Sequence, residues 1–364
     1  MKSSKLKKFY PEGYKITGIN HCEVPVSYTD VEEEYYVLRD QIGMIDGIGY
    51  GIFNISGEGA ADFLDMIATK DIKYMNIGTV MECLILNDSA EVLGIVFIER
   101  VDFDYIILIP PESAESVYSW MREKVTDDVV MKDLTEDRSL VFVEGHKSWK
   151  LVQEILKIET EMLPLRGLCE TKWKNNSMVL SRIGHSGEYG YAVLAEHSVI
   201  EEFVETCLTV KNCQVKFCGT EAMDICMLEI RQPNLKYESL KSGNLFEMVM
   251  QWLIQFEKEN YFGYKSMKEL FYQGRNMLSV GFVCKEKKGL AGVTKVFFDK
   301  EEIGEVVYSK YSPKLEALIG ILKIKEAFSV SGIQLDIKDD DSICTVQTVS
   351  SPFLRPASWD EEMV

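Results

Sequence analysis

The sequence predicts a mixed α+β protein that ends in a small all-β region. Its 364 residues exceed the size at which a single hydrophobic core usually keeps growing, so two or three domains are expected. Strand-like and helix-like runs alternate through most of the chain. From about residue 277 only short strand-like runs with frequent turns remain, which is typical of an all-β domain.

The composition is that of a globular protein and excludes several classes of partner. Hydrophobic residues make up 46% of the chain and charged residues 27%. The net charge of −18 repels phosphate backbones and anionic lipids, so we expect neither nucleic acid nor a membrane as a partner. No apolar run approaches the roughly 20 residues of a membrane helix, and the first residues lack the apolar core of a signal peptide. We therefore expect a cytoplasmic protein.

The nine cysteines are scattered and include no CxxC pair. Cys207, Cys213, Cys218 and Cys226 form the densest group, but their gaps match no zinc pattern. We predict no metal site, and we expect the cysteines to be reduced thiols that behave as small buried hydrophobic residues.

Residues 51–110 predict a strand, a helix and a hairpin. GIFNISG at 51–57 is typical of a strand, and GAADFLDMIA at 59–68 is typical of a helix. The runs at 92–100 and 104–110 predict two strands joined by a short acidic turn. The helix residues expected to face the core are Phe63, Met66 and Ile67.

Three further helices are predicted between residues 111 and 230. Pro111 opens the first, Ser198 opens the second with Glu201 completing a capping box, and the third begins near Thr220. Their core-facing residues are predicted from helical spacing. They are Val117, Trp120, Met121 and Val125 in the first helix, Val199, Phe203 and Cys207 in the second, and Met223, Met227 and Ile230 in the third.

The C-terminal region contains five strand-like runs and one acidic cluster. The cluster DIKDDD at 336–341 is interpreted as a solvated loop. The runs are LSVGFVCK, VTKVFFD, EIGEVVYS, LIGILKI and SICTVQTV. Their even spacing predicts strands separated by turns.

The stretch SRIGHSGEYG at 181–190 places three glycines and the carboxylate of Glu188 directly after an apolar run. Glycine permits positive φ and close backbone approach, so Glu188 could be presented to a small ligand on a tight turn. An ordinary hairpin turn has the same composition, because glycine and serine dominate such turns. Both interpretations stay open at this point.

General catalytic motifs do not identify a reaction. The chain has no GxxxxGK[ST], HExxH or GxSxG motif, and GIGYGI at 47–52 lacks the GxGxxG spacing. His146 and His185 are isolated candidates for acid/base chemistry. A lone histidine is more often structural.

Seven stretches, in a shared order, carry a resemblance to a known family. SRIGHSGEYGYAV resembles the Ser-Arg-x-Gly-Tyr-Thr-Gly-Glu-x-Gly-Phe-Glu signature of the aminomethyltransferases, the glycine cleavage T-protein and its relatives. LVFVEGHKSWKLVQEIL resembles the family's Gln-Gly-Pro segment, with Glu144 and His146 in place of Gln and Pro. The other stretches are the segment from VEEEYYVLRD to GAADFL, GTEAMDICMLEIRQP, NYFGYKSM, YSPKLEALIGILKI and SPFLRPA.

The resemblance implies an α+β fold of three domains around a central channel. Two mixed α/β units would form a folate-binding region over residues 1–270, and a small β-barrel domain would occupy residues 271–364. The resemblance also implies tetrahydrofolate as the cofactor, with Glu188 accepting the N–H groups of the pterin. The residues implied in folate binding are Glu188, Gly187, Tyr105, His185 and Glu229.

Several positions depart from the family's pattern. The acidic pair of the Gly-Gly-x-x-Asp-Asp strand is replaced by Gly94 and Ile95, so the catalytic residue is unknown. The family's asparagine falls near Ile109, and its tail-binding arginine falls at Met223. His185 replaces the signature tyrosine. Possible acidic or basic substitutes are Glu91, Glu99, Glu229 and His185.

The resemblance implies a tetrahydrofolate-dependent transferase of an aminomethyl or methyl group from a divergent small-molecule donor. The alternative is a folate-binding regulatory protein or pseudoenzyme that kept the scaffold without the chemistry. A lipoyl carrier protein would be a partner by analogy with the T-protein, and the altered site weakens that analogy. The iron–sulfur assembly branch ranks last, because its cysteine position is Asn260 here.

Overall fold

A computed structural model describes residues 1–239, 243–286, 289–292, 294–338, 340 and 342–363. Up to residue 133 the elements are β1 (Lys15–Ile19), β2 (Cys22–Ser27), α1 (Val31–Asp40), β3 (Ile42–Asp46), β4 (Gly51–Ser56), α2 (Ala60–Ile67), β5 (Thr79–Leu86), β6 (Val92–Val101), β7 (Asp104–Ile109), α3 (Ala114–Lys124) and β8 (Val130–Asp133). Up to residue 273 they are β9 (Arg138–Glu144), α4 (Ser148–Leu156), β10 (Leu168–Trp173), β11 (Asn176–Ser181), β12 (Gly190–Glu196), α5 (His197–Thr209), β13 (Val215–Phe217), α6 (Thr220–Ile230), α7 (Leu235–Glu238) and α8 (Tyr264–Gln273). The last are β14 (Met277–Cys284), β15 (Lys295–Phe298), β16 (Glu301–Ser312), β17 (Ala317–Lys325), β18 (Gln334–Lys338) and β19 (Ile343–Val349).

Two sheets packed face to face form the bulk of the molecule. One has the strand order β5-β6-β7-β4-β8, and the other has the order β10-β11-β12-β9-β3-β13. An apolar layer that includes Phe97, Leu108, Phe142 and Leu194 fills the space between them. Helices α2 and α3 cover the outer face of the first sheet, and α4 and α5 cover that of the second. Strands such as β7 are therefore buried on both faces and have continuous apolar sequences.

Helices α1 and α6 pack against each other beside the second sheet. The side chain of Asp30 caps α1 by accepting hydrogen bonds from the backbone N–H groups of Glu32 and Glu33. The buried carboxylate of Glu34 accepts from the backbone N–H of Gly219, 2.7 Å away, at the start of α6. This contact fixes where α6 begins relative to α1.

The C-terminal strands close into a barrel with the order β14-β17-β16-β15-β18-β19. Exposed and buried residues alternate along β18 and β19, as expected for strands with one face in the barrel core and the other in solvent. The outer face of β16 and β17 packs on Leu228 of α6 through Val307, Ile319 and Ile321. The barrel is thus joined to the α/β part by an apolar interface.

The predicted fold class, two mixed α/β units and a small C-terminal β-barrel, is confirmed by this architecture. The boundary between residues 270 and 271 stays a prediction, and α8 runs across it. The helix and strand predictions at 51–110 are confirmed, except that Met66 is 45% exposed because it points away from the apolar layer.

Three local predictions are wrong. The first helix predicted after residue 110 begins at Ala114 with Ser113 as its N-cap, so Pro111 lies in the preceding turn and does not open the helix. The second predicted helix begins at His197 after Glu196, and no side chain caps it, so Ser198 and Glu201 form no capping box. In the acidic cluster, Asp336 and Lys338 belong to β18, because pairing with β15 and β19 outweighs their low strand propensity. Asp339 and Asp341 of that cluster lie outside the described residues.

All nine cysteines are free thiols, and six of them are buried. The described residues contain no group of three or more His, Cys, Asp or Glu side chains arranged to hold a metal ion. Within the described ranges, no helix combines the length and apolar character needed to cross a membrane.

Candidate functional site

A central cavity lies at one end of the two packed sheets, where α6 and the segment after it cover the strand ends. Its volume is about 120 Å³. The apolar lining includes Ile95, Phe97 and Phe142 from the two sheets and Met223 and Met227 from α6. The polar residues of the lining are Asp46, Tyr50, Glu82, Glu112, His185, Thr220, Asp224, Gln232, Asn234 and Lys236.

Among the described residues that line this cavity, Glu112 is the acidic residue whose carboxylate is not bound by another side chain. It follows the end of β7 after two prolines, and its side chain is exposed at the cavity. Among the described residues, no other residue pairs with its carboxylate. Desolvation of the carboxyl by the surrounding protein, with the charge of Asp224 adding to it, raises the pKa of Glu112 above 4.5, although its own backbone N–H and the charges of His185 and Lys236 act in the opposite direction. Glu112 can therefore accept hydrogen bonds from a ligand.

His185 and Glu144 form an ion pair at the edge of the cavity. Nδ1 of His185 lies 3.3 Å from Glu144 Oε1, and its backbone N–H donates to Glu144 Oε2 at 2.9 Å. Nε2 lies 3.3 Å from the hydroxyl oxygen of Tyr50. The rings of Phe97 and Phe142 meet the imidazole edge-to-face, at centroid distances of 5.7 and 5.2 Å. The imidazole is therefore fixed between an acid, a phenol and two aromatic rings.

The pKa values of Glu144 and His185 are shifted in opposite directions. Burial lowers the pKa of His185, but the hydrogen bond and charge of Glu144, with the charges of Glu82 and Glu112, outweigh it and leave the pKa above 6.5. Burial raises the pKa of Glu144, but His185 and the N–H of Ser186 outweigh it and bring the pKa below 4.5. The pair is thus charged between these pKa values.

The other acidic groups of the lining already have partners. Glu82 pairs with Arg166 and accepts from the Gln232 amide at 2.8 Å. Asp224 accepts hydrogen bonds from Asn234 at 2.8 Å, from Lys236 at 3.0 Å and from the Tyr237 hydroxyl at 2.6 Å. Asp46 accepts from Ser4, Tyr10 and the backbone of Ile48. These contacts leave Glu112 as the carboxylate of the lining best placed to meet a ligand.

Glu188 belongs to a buried network that lies beside the cavity. Arg39, which is fully buried, donates to Glu188 Oε1 at 3.3 Å and to Glu229 Oε2 at 2.6 Å. Glu229 also accepts from the hydroxyls of Tyr35, at 2.7 Å, and Ser312. Because burial of an unpaired charge is costly, this single arginine between two glutamates ties α1, α6 and the 181–190 turn to the barrel.

The C-terminal segment covers the 181–190 turn. Ser358 donates to Glu188 Oε2 through its backbone N–H, at 3.0 Å, and through its hydroxyl. The Trp359 indole donates to the carbonyl of Gly187 at 3.0 Å. Gly187 has φ +82°, and a Cβ there would lie 2.8 Å from Ile230, so the turn requires glycine at this position.

The predicted folate-binding residues fall in different places. His185 lines the cavity. Glu188, Gly187 and Glu229 are occupied by contacts within the chain, as described above. Tyr105 packs in the layer under α2 and α3, on the side of its sheet that faces away from the second sheet, and its ring lies 5.6 Å from the Arg100 guanidinium. The roles of these residues in binding stay predictions.

The residues predicted as substitutes for the family aspartate also lie in different parts of the structure. Glu91 is exposed in the β5–β6 turn, where it accepts from Asn87 at 2.6 Å. Glu99 is buried between the two sheets and accepts from Ser181. Burial raises the pKa of Glu99 to about 7. Of the four candidates, His185 is the one that reaches the cavity.

Two of the positions that depart from the family pattern contribute apolar side chains to the cavity. Ile95 and Met223 line it, whereas Gly94 faces α3, where a Cβ would lie 2.7 Å from Val117. Met223, predicted as a core residue from its helical spacing, is buried in the apolar cluster between α1 and α6, and Met227 packs against that cluster; both also line the cavity. The carboxylate that sequence reasoning missed is Glu112, three residues after Ile109, where the resemblance expected a polar group.

The structure is that of a mixed α/β protein with an appended barrel and a central cavity lined by apolar, acidic and amide side chains. A model of the GCVT N-terminal domain matches residues 8–258, so the chain belongs to that family. The expectation of a divergent member of the aminomethyltransferase family is thereby confirmed.

Individual relatives are distant but cover nearly the whole chain. The chain is 23% identical over 346 residues to an aminomethyltransferase of Thermosipho melanesiensis, and the match covers 94% of each protein. It is 23% identical over 352 residues to an aminomethyltransferase of Bacillus cereus, covering 94% of this chain and 95% of the relative. The crystal structure of glycine cleavage system aminomethyltransferase T from Bartonella henselae matches its fold with a TM-score of 0.87, at 18% identity and 98% coverage of both chains.

Proposed function

We propose that this chain binds tetrahydrofolate in the central cavity and transfers a one-carbon group to or from it. The observation that carries the proposal is the open carboxylate of Glu112 in a cavity that is also lined by the aromatic rings of Phe97 and Phe142. A carboxylate only accepts hydrogen bonds, and a pterin ring presents an amine and a ring N–H that donate them. Family membership supports folate-dependent chemistry, because the relatives are aminomethyltransferases.

The apolar lining suits a pterin ring, although the cavity is narrow. At about 120 Å³ it is smaller than the roughly 300 Å³ of a typical small-molecule pocket. Met223 and Met227 have flexible, unbranched side chains that can change rotamer to admit a ring. We therefore infer that ligand binding moves these methionines, and that Phe97 and Phe142 contact one edge or face of the ring.

The chain's own residues would act mainly by positioning. Holding a donor carbon against the accepting folate nitrogen, in a cavity that excludes water, can lower a barrier by several kcal/mol. The donor is proposed to be a small aminomethyl or methyl compound, whose identity differs from that of the glycine cleavage reaction because Ile95 replaces an acidic residue. By analogy with the T-protein, we propose a lipoyl carrier protein as a partner of this chain.

Binding is tested by calorimetric titration of the full chain with tetrahydrofolate and with 5-methyltetrahydrofolate. We expect micromolar binding by the natural chain and at least tenfold weaker binding by Glu112→Gln. The amide of glutamine replaces one acceptor oxygen with an NH₂ group, which would face an N–H donor of the pterin without forming a hydrogen bond. Glu115→Gln is the matched control, since Glu115 is exposed and lies outside the cavity. Failure of both folates to bind would contradict the proposal.

A folate-binding protein without transfer activity is the second candidate, and the apolar residues Ile95 and Met223 favour it. The two candidates differ in turnover. Incubation with tetrahydrofolate and a panel of N-methyl, S-methyl and aminomethyl donors, followed by chromatography of the folates, should yield a methyl or methylene derivative if the chain is a transferase. Tight folate binding with no derivative from any donor would favour the regulatory function.

A further inference from the structure

The hydroxyl of Tyr50, His185 and Glu144 form a hydrogen-bonded row that ends in the cavity. We propose that this row is a pH-dependent donor that recognises the carbonyl oxygen of a bound pterin next to the N–H groups held by Glu112. This inference rests on the proposed function and deepens it by naming the second half of the ligand-recognition site. A pterin ring carries its carbonyl oxygen beside its ring N–H, so an acceptor and a donor that line the same cavity, Glu112 and Tyr50, can bind that edge together.

The charge of His185 decides which way the Tyr50 hydroxyl points. When His185 is protonated, its Nε2–H donates to the Tyr50 oxygen, and the hydroxyl hydrogen is free to donate to a ligand. When His185 is neutral with its proton on Nδ1 toward Glu144, Nε2 becomes an acceptor and takes the Tyr50 hydrogen. Deprotonation of His185 therefore withdraws the donor from the cavity without moving a heavy atom.

The surroundings of His185 favour the protonated state. Glu144 faces it from β9 at 3.3 Å, and the carboxylates of Glu82 on β5 and Glu112 after β7 add negative charge. The remaining neighbours are the uncharged rings of Tyr50, Phe97 and Phe142. Glu144 itself is held by the N–H groups of His185 and Ser186, both at 2.9 Å, so it is a fixed acceptor that orients the imidazole.

The sequence supports the pairing independently. Glu144 and His185 are 41 residues apart and replace, respectively, the glutamine and the tyrosine of two different family motifs. In the structure these two residues contact each other, with 3.3 Å between His185 Nδ1 and Glu144 Oε1. A charged pair therefore stands where the family motifs have a neutral amide and a phenol, and the phenol that lines the cavity beside His185 is that of Tyr50.

The test is the affinity for 5-methyltetrahydrofolate between pH 5 and pH 9, measured by calorimetry on the full chain. We expect affinity to fall on the acid side as Glu112 is protonated and on the alkaline side as His185 loses its proton, giving a bell-shaped profile. Tyr50→Phe should bind about tenfold more weakly at neutral pH and lose the alkaline decline, because the ring stays and the donor is gone. Tyr118→Phe, outside the cavity, is the matched control and should behave as the natural chain.

Glu144→Gln tests the positioning role. Removal of the carboxylate should move the alkaline decline to lower pH, and nuclear magnetic resonance of the four labelled histidines should show the same shift for His185 alone. If folate binds with an affinity that is constant from pH 6 to pH 9, or if Tyr50→Phe binds as the natural chain does, the inference is overturned and the proposed function stands. If no folate binds at any pH, the proposed function fails, and the inference fails with it.

Discussion

Glu99 shows how a single buried residue can set the pH dependence of stability. Its carboxyl lies between the two sheets, with one oxygen bonded to Ser181 and the other without a hydrogen-bond partner in the described part of the chain. Burial raises its pKa from 4.5 to about 7. The unfolded chain therefore releases this proton at a lower pH than the folded chain does.

We predict that stability falls as pH rises from about 4.5 to about 7, since the folded chain binds the extra proton over that range. The full difference is on the order of 3 kcal/mol. Glu99→Gln should flatten this decline and raise the free energy of unfolding at pH 8, as measured by urea titration at several pH values. Glu170→Gln, at an exposed position on β10, is the control. A natural chain and a Glu99→Gln variant with parallel pH profiles would contradict the assignment.

The 181–190 turn and the C-terminal segment are held together by hydrogen bonds between Glu188 and Ser358 and between Trp359 and Gly187. Ser358 holds one oxygen of Glu188 while Arg39 holds the other, and the hydroxyl of Ser358 also accepts from the N–H of Tyr189 at 3.2 Å. Loss of that hydroxyl leaves a buried carboxylate with one donor fewer. Such a loss is costly because hydrogen bonds to charged groups are stronger than neutral ones.

Ser358→Ala should lower the free energy of unfolding by about 1–3 kcal/mol. It should also loosen the C-terminal segment, which hydrogen exchange at the backbone N–H groups of Ser358 and Trp359 would show as faster exchange. Ser89→Ala, in an exposed turn, serves as the control. Unchanged stability and unchanged exchange in Ser358→Ala would show that the segment is held by other contacts.

At the scale of the whole molecule, the sequence predicted the layers better than the contacts between them. The change near residue 277 to short strand-like runs with frequent turns indicated the barrel, because a sheet that closes into a small barrel is built from short strands joined by regular turns. The glycine turn at 181–190 was also visible, but the direction of the Glu188 side chain depends on Arg39 and Ser358, which lie far away in the chain.

The cavity was the least predictable part for the same reason. Glu112 follows two prolines in the turn before α3 and has no motif of its own. The contact of Glu144 with His185 joins residues 41 positions apart, and only the pairing of β12 with β9 brings them together. A polar group near the end of β7 was the one signal that the sequence offered for Glu112, through the asparagine expected near Ile109.

The most direct test of the central claim is a crystal structure of the chain with 5-methyltetrahydrofolate bound. We expect the pterin ring in the central cavity, with its N–H groups within hydrogen-bond distance of Glu112 and with Glu188 still bonded to Arg39 and Ser358. A pterin held by Glu188 in place of its present partners, or a folate bound away from the cavity, would contradict it.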